Sequence, residues 1–307
     1  MSASAPCEQW LKTVANLRVD RKGSIAPHKP LLPLLLLVLA ELAEKGQLPL
    51  VDRILPLTGE LAFRFLGYWL VAAERRPQRP DIHLPFYHMR SDGCWVPLDE
   101  NGNPTLERRR AVAAQFDATF LACLNNADFR VKMRRVLIAK YFADAGERAA
   151  LYQLVGLPAP PDEIIIEDAR LYEVARERGR EARFRLIVVP AYNYTCALTG
   201  YRLVTVDTGS IVDAAHIHQF ADSRNNHPRN GIALCKNAHW MFDEGLWSLD
   251  DEYRILVATS RFDESGADAF LLSRKANARI LLPANPNYWP DTVHLTWHRK
   301  HHGFDAT

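Results

Sequence analysis

Ile211–Leu249 reads IVDAAHIHQFADSRNNHPRNGIALCKNAHWMFDEGLWSL. Ile211–Ile217 is apolar and β-branched enough to form a strand, with His216 at its end. Asn230-Gly231 suits a tight turn with positive φ and opens a second short strand, Ile232–Cys235. Lys236–Phe242 then begins a helix, on which His239 and Asp243 stand at i and i+4 and share a face. The order is strand, loop, strand, helix, with His, Asn and His at its corners.

Order, spacing and expected elements together resemble the HNH (ββα-metal) nuclease motif, in the variant whose first histidine reads Ala-Ala-His-Ile rather than His-His-Ile. The resemblance implies an endonuclease with His216, Asn230 and His239 as its catalytic set. Asn230 would tie the loop to the strand and orient the base; a purely structural turn is the plainer role for Asn-Gly.

The chemistry agrees. Hydrolysing a phosphodiester requires an activated water, a cation against the growing charge and a stabilised leaving oxygen. Imidazole titrates near neutrality, so His216 can take the proton from water. His239 and Asp243 offer one imidazole and one carboxylate to a divalent ion. Mg²⁺ is the first expectation, with Mn²⁺, Ni²⁺ and Zn²⁺ as alternatives. The family's strand ligand sits immediately before the base. Here that residue is Ala215, which cannot bind. Alternation along a strand puts Asp213 on the same side, so Asp213 is expected to complete the metal set with His239 and Asp243. His218 is the fallback.

Working outward, Leu295–Phe304 (LTWHRKHHGF) reads as a basic segment touching phosphate, with Trp297 arguing for an ordered edge of the domain. The five cysteines are odd in number and contain no C-x-x-C pair. That argues against a disulfide framework and a four-cysteine zinc site, and for reduced thiols in a cytoplasm. Cys196 and Cys235 are expected to be buried thiols.

With 307 residues, 48% hydrophobic and 24% charged, the chain has room for two ordinary globular domains. A net charge of +2 neither demands nor excludes a nucleic acid. The apolar run Leu31–Leu42 is shorter than the ~20 residues a membrane span takes. It reads as a buried helix over 30–45 that stops at Gly46. Further helices are expected at 8–22, 57–71, 105–124 and 127–143, and a charged one at 163–182. Residues 82–97 read as a β-hairpin turning at Asp92-Gly93. Gly156–Asp162 carries three prolines and sets the boundary. The fold class is therefore α+β: a mainly helical domain with a small β-wing over 1–157, and a ββα-metal nuclease domain over 158–307.

Ala26–Leu37 and Leu84–Trp95 resemble the N-terminal DNA-binding domain of HNH restriction endonucleases, described in some of them as a sulfur-binding domain for phosphorothioate DNA. The resemblance implies contacts from His28, Lys29, Pro85 and His88. Arg134 and Arg135 on the basic 127–143 helix add candidate phosphate contacts. Sulfur is larger and less well hydrated than oxygen, so an apolar pocket lined by Pro85 and flanked by cations could select it. Sulfur readers carry an aromatic residue before that proline, where this chain has Leu84.

The expected partner is double-stranded, modified DNA, with a homodimer for double-strand cleavage, and no membrane. The rivals are an HNH nuclease for other modified or unmodified DNA, a nicking enzyme or RNase, an interbacterial toxin, and a DNA-binding regulator with a decayed HNH domain.

Overall fold

The computed structural model describes residues 5–17, 31–72, 80–160 and 169–304. His28 and Lys29 lie outside them. The chain divides into two compact units. The first takes Met1–Ala182 with Thr205–Gly209, and the second Arg183–Val204 with Ser210–Thr307.

The first unit is mainly helical. Its order is α1 (Ala5–Ala15), α2 (Leu31–Glu44), β1 (Ile54–Pro56), α3 (Gly59–Ala72), α4 (His83–His88), β2 (Trp95–Leu98), β3 (Ala113–Phe116), α5 (Ala118–Leu124), α6 (Ala127–Tyr141) and α7 (Ala145–Val155). α8 (Ala169–Ala191) follows, and the division between units falls inside it. The boundary expected at 157/158 lies before α8.

The apolar run forms α2, buried from Leu31 to Leu42, and Gly46 ends it at φ 62°. Its one buried acid, Glu41, is neutralised from α3: Arg64 donates to Oε1 at 2.9 Å and the Tyr68 hydroxyl to Oε2 at 3.0 Å. No described helix is long and apolar enough to cross a membrane. The β-wing is a three-stranded antiparallel sheet in the order β1-β3-β2.

Three expectations for this unit are corrected. Residues 82–97 are not a hairpin, because His83–Asp92 is helical and only Trp95–Leu98 is a strand. Gly93 does reverse the chain, at φ 76°, but as the cap of a helical turn. The helix expected over 105–124 is confined to α5. Ala113–Phe116 before it is the central strand of the sheet, alternating between buried and more exposed positions. Asp117 then starts α5 by accepting from the backbone N–H groups of Thr119 and Phe120. Cys7 and Cys123 form a disulfide. Packing of α1 on α5 brings together two thiols separated by 116 positions, a contact that spacing could not reveal.

The second unit is built on an antiparallel hairpin, β4 (Val212–His216) with β5 (Gly231–Cys235), joined through the short helix α9 (Phe220–Ser223). The register sets Val212 against Cys235 and His216 against Gly231. α10 (Lys236–Asp243) follows directly, then a second hairpin of β6 (Trp247–Leu249) and β7 (Ile255–Val257), and last α11 (Thr292–His301). Phe184, Val188, Ala215, Ile232, Phe242 and Trp247 lie in one buried core.

Candidate active site

His216 ends β4 opposite Gly231, whose φ of −126° is ordinary extended backbone. The glycine is therefore not there for a positive-φ turn, as Asn-Gly suggested. It is there for space. A Cβ on residue 231 would lie 2.5 Å from Val188 Cγ2 and 2.8 Å from Phe184 Cζ. With glycine, α8 comes close, and the ring of Phe184 lies on that of His216 with centroids 4.1 Å apart and planes 7° from parallel.

The edge of the His216 ring is fixed by Asn226, whose Oδ1 meets His216 Nε2 at 2.8 Å. An amide oxygen only accepts, so Nε2 carries the hydrogen and the free lone pair is on Nδ1. Burial lowers the pKa of His216, outweighing the upward pull of Asn226 and Asp243, and His239 lowers it further. The imidazole is thus neutral at pH 7, as a general base must be.

Asn230 is fully buried and spans the base of the loop. Its Oδ1 accepts from the His218 N–H at 2.8 Å. Its Nδ2 donates to the carbonyls of His218 at 2.9 Å and Asn225 at 3.0 Å. The loop that presents Asn226 is thereby tied to the residues following β4, so Asn230 serves His216 through Asn226.

On α10, His239 Nε2 and Asp243 Oδ2 stand 3.4 Å apart, with both side chains partly open to solvent. Burial raises the pKa of Asp243, assisted by Glu244 and opposed by His239 and His216. α10 packs on β4 and β5, which sets His239 and Asp243 beside the strand that ends in His216. A hard divalent cation suits the imidazole–carboxylate pair, and Mg²⁺ in particular keeps several waters and takes few protein ligands.

Asp213 is placed differently. It is half-exposed on β4, and its Oδ1 accepts from Arg185 Nε at 2.6 Å and from the Ala214 N–H at 2.9 Å. Ala215, expected on the same side, is fully buried. Among the described residues no three His, Cys, Asp or Glu side chains converge as a metal cage. The fallback ligand His218 is stacked on Trp297, with centroids 4.1 Å apart.

α11 is an ordered edge, not a free basic tail. His298 is buried, with Nδ1 at 2.9 Å from Ser248 Oγ and Nε2 at 3.2 Å from the Phe242 carbonyl. Arg299 donates to the Leu249 carbonyl and to Asp251. Cys196 is buried and Cys235 partly so. A hydrogen bond from Cys235 draws the Cys196 thiol down, and the same contact pushes Cys235 up.

Of the DNA contacts expected in the first unit, Pro85 is buried within α4, while His88 and Arg135 are exposed. Arg134 is only 2% exposed and donates to Glu44 at 2.7 Å, so it holds α6 to α2. Sequence reasoning missed Asn226 and Phe184. Asn226 had a signal in the Asn225-Asn226 pair inside the loop; Phe184 had none.

Residues 196–250 match the family of HNH endonucleases. No curated protein matches the chain. A solved structure of the modification-dependent TagI restriction endonuclease is similar to 39% of this chain and 37% of its own, at 21% identity and a TM-score of 0.30. The chain thus spans well under half the length of that protein. Residues 196–250 form an HNH endonuclease domain.

Proposed function

We propose that this chain is a metal-dependent DNA endonuclease that restricts modified DNA, with phosphorothioated DNA as its substrate. The reading rests on one observation: a neutral His216, held flat by Phe184 and by its edge through Asn226, shares its locality with the His239–Asp243 pair. His216 Nδ1 takes the proton from the attacking water. Asn226 and Phe184 keep the ring from turning, and Asn230 holds the loop that carries Asn226. His239 and Asp243 would hold the cation, and Asp213 would join them as a third ligand only by leaving its ion pair with Arg185. Such an ion stabilises the charge that builds on the phosphoryl oxygens.

The first unit brings the site to its target, with Pro85, His88 and Arg135, and with His28 and Lys29 outside the described residues. One site cuts one strand, so double-strand cleavage implies a homodimer. Restriction of incoming DNA places the protein in the cytoplasm. Relaxation of supercoiled plasmid, phosphorothioated against plain, tests the reading: metal-dependent cutting of the modified plasmid is expected.

One observation favours a second reading, a DNA-binding regulator with a decayed nuclease domain. Asp213 is engaged by Arg185 and Ala215 offers no donor, which leaves two protein ligands on α10. Loss of cutting in Asp213→Asn would show that the carboxylate does act on the metal.

A further inference from the structure

Apart from the exposed Arg135, the arginines of the basic helix α6 and its Lys132 are engaged with the protein itself. Arg134 is buried against Glu44, Lys132 pairs with Asp128 at 2.7 Å, and Arg130 donates to the Leu124 carbonyl at 2.8 Å. Another part of the first unit holds cations that are not spent in this way.

Tyr87, at the end of α4, organises them. The Arg90 guanidinium lies over its ring, 4.4 Å from the centroid. His88 meets its edge at 5.3 Å. The Tyr87 hydroxyl donates to the Leu106 carbonyl, which anchors the segment leading into the Arg108–Arg110 turn. Arg110 is paired with Asp99 at 3.3 Å and Glu107 at 3.7 Å. Neither Arg108 nor Arg109 meets a carboxylate within 4 Å among the described residues. The buried Nε–H of Arg90 also finds no acceptor among them. Arg90 and Arg108 both act on His88, whose pKa is lowered by burial first and by these two charges next. Arg90 and Arg108 therefore flank His88, Arg109 follows in the same turn packed on α4, and none of the three arginines pairs with a carboxylate within 4 Å among the described residues. Such a surface stabilises bound phosphate, because each neutralised phosphate releases a condensed counterion.

We infer that Arg90, Arg108 and Arg109, set around Tyr87 with His88, form the clamp by which the first unit grips the phosphate backbone of duplex DNA. This rests on reading that unit as the DNA-binding part, and it centres the contact on the α4 edge rather than on α6. Leu106, 77% exposed beside the arginines, gives the clamp an apolar lip for the sugar edge.

The test is equilibrium binding of the full chain to a fluorescent 20-base-pair duplex in EDTA, so that no cutting intervenes, with affinity followed against salt. Each phosphate contact contributes about 0.9 to the slope of log K on log salt. Arg108→Ala with Arg109→Ala is expected to lower that slope by about 2 and weaken binding roughly 10- to 100-fold at moderate salt. Arg90→Ala lowers the slope by about 1. Lys12→Ala, removing an exposed lysine of α1, keeps the wild-type slope and shows that loss of any surface cation is not enough. Circular dichroism confirms that each variant is folded.

Unchanged slope and affinity in the double variant overturn the inference, as does a wild type that binds no duplex. Cleavage is read separately. A chain that cuts nothing yet loses binding through these arginines keeps the clamp and loses the nuclease. A chain that cuts normally with all three arginines replaced keeps the nuclease and loses the clamp.

Discussion

The imidazole of His216 lies face to face with the ring of Phe184, 7° from parallel at 4.1 Å, and the missing side chain at Gly231 allows it. A general base must be both neutral and still, and this stack supplies part of each: burial lowers its pKa and an aromatic surface fixes its plane. Phe184→Leu keeps an apolar side chain and removes the flat support. Cleavage is expected to fall about 10-fold, with the thermal midpoint little changed. Steady-state rates beside a melting curve check this, and an unaltered rate would show that the stack only packs.

Asn226 tunes the same base from its edge. Its amide raises the His216 pKa while burial lowers it more. The acid limb of the pH–rate profile should therefore lie below the usual imidazole value of about 6.5. Asn226→Ala removes the upward pull, so the limb moves to still lower pH and the plateau drops several-fold, roughly as base strength dictates. Asn226→Asp adds a negative charge and moves the limb up. Profiles of the three proteins that coincide would remove Asn226 from the mechanism.

Asn230 differs in kind, because its three hydrogen bonds are buried and all local. Asn230→Ala leaves several backbone groups unsatisfied, and about 2–4 kcal/mol of stability should go with them. Asn226→Ala should cost less than about 1 kcal/mol. Urea unfolding of both variants separates the loop's anchor from the base's partner.

Acid should weaken the second unit through His298. Its folded pKa falls to about 3, chiefly through burial and then through His302. The unfolded value is about 6.5, so between the two the unfolded chain binds the extra proton. The stability is whole above pH ~6.5 and is lost as pH falls toward 3, by about 1.4 kcal/mol per pH unit. Unfolding midpoints across this window should flatten in His298→Asn, relative to wild type. Equal slopes would place the titration elsewhere.

The candidate site was legible where its residues lie close in sequence. His216, Asn230, His239 and Asp243 all sit on short elements whose order follows from local pattern, and the strands and helix formed within a residue or two of expectation. Contacts between distant segments were not legible. Phe184 reaches His216 from the part of α8 that runs past the helix expected over 163–182, Arg185 takes Asp213, and Cys7 finds Cys123 across α1 and α5. In the first unit, residues 82–97 alternate like a hairpin, yet most of them serve a short helix and a capping glycine. Arg134 shows the same gap: a cation on a basic helix reads as surface, and only the fold reveals Glu44 beside it.

The most direct test incubates wild type and His216→Ala with supercoiled plasmid in Mg²⁺ or Mn²⁺, and in EDTA. The account predicts cutting by wild type that EDTA abolishes, and a loss of at least about 100-fold in His216→Ala. Cutting that persists in EDTA, or that His216→Ala retains at the wild-type rate, would contradict it.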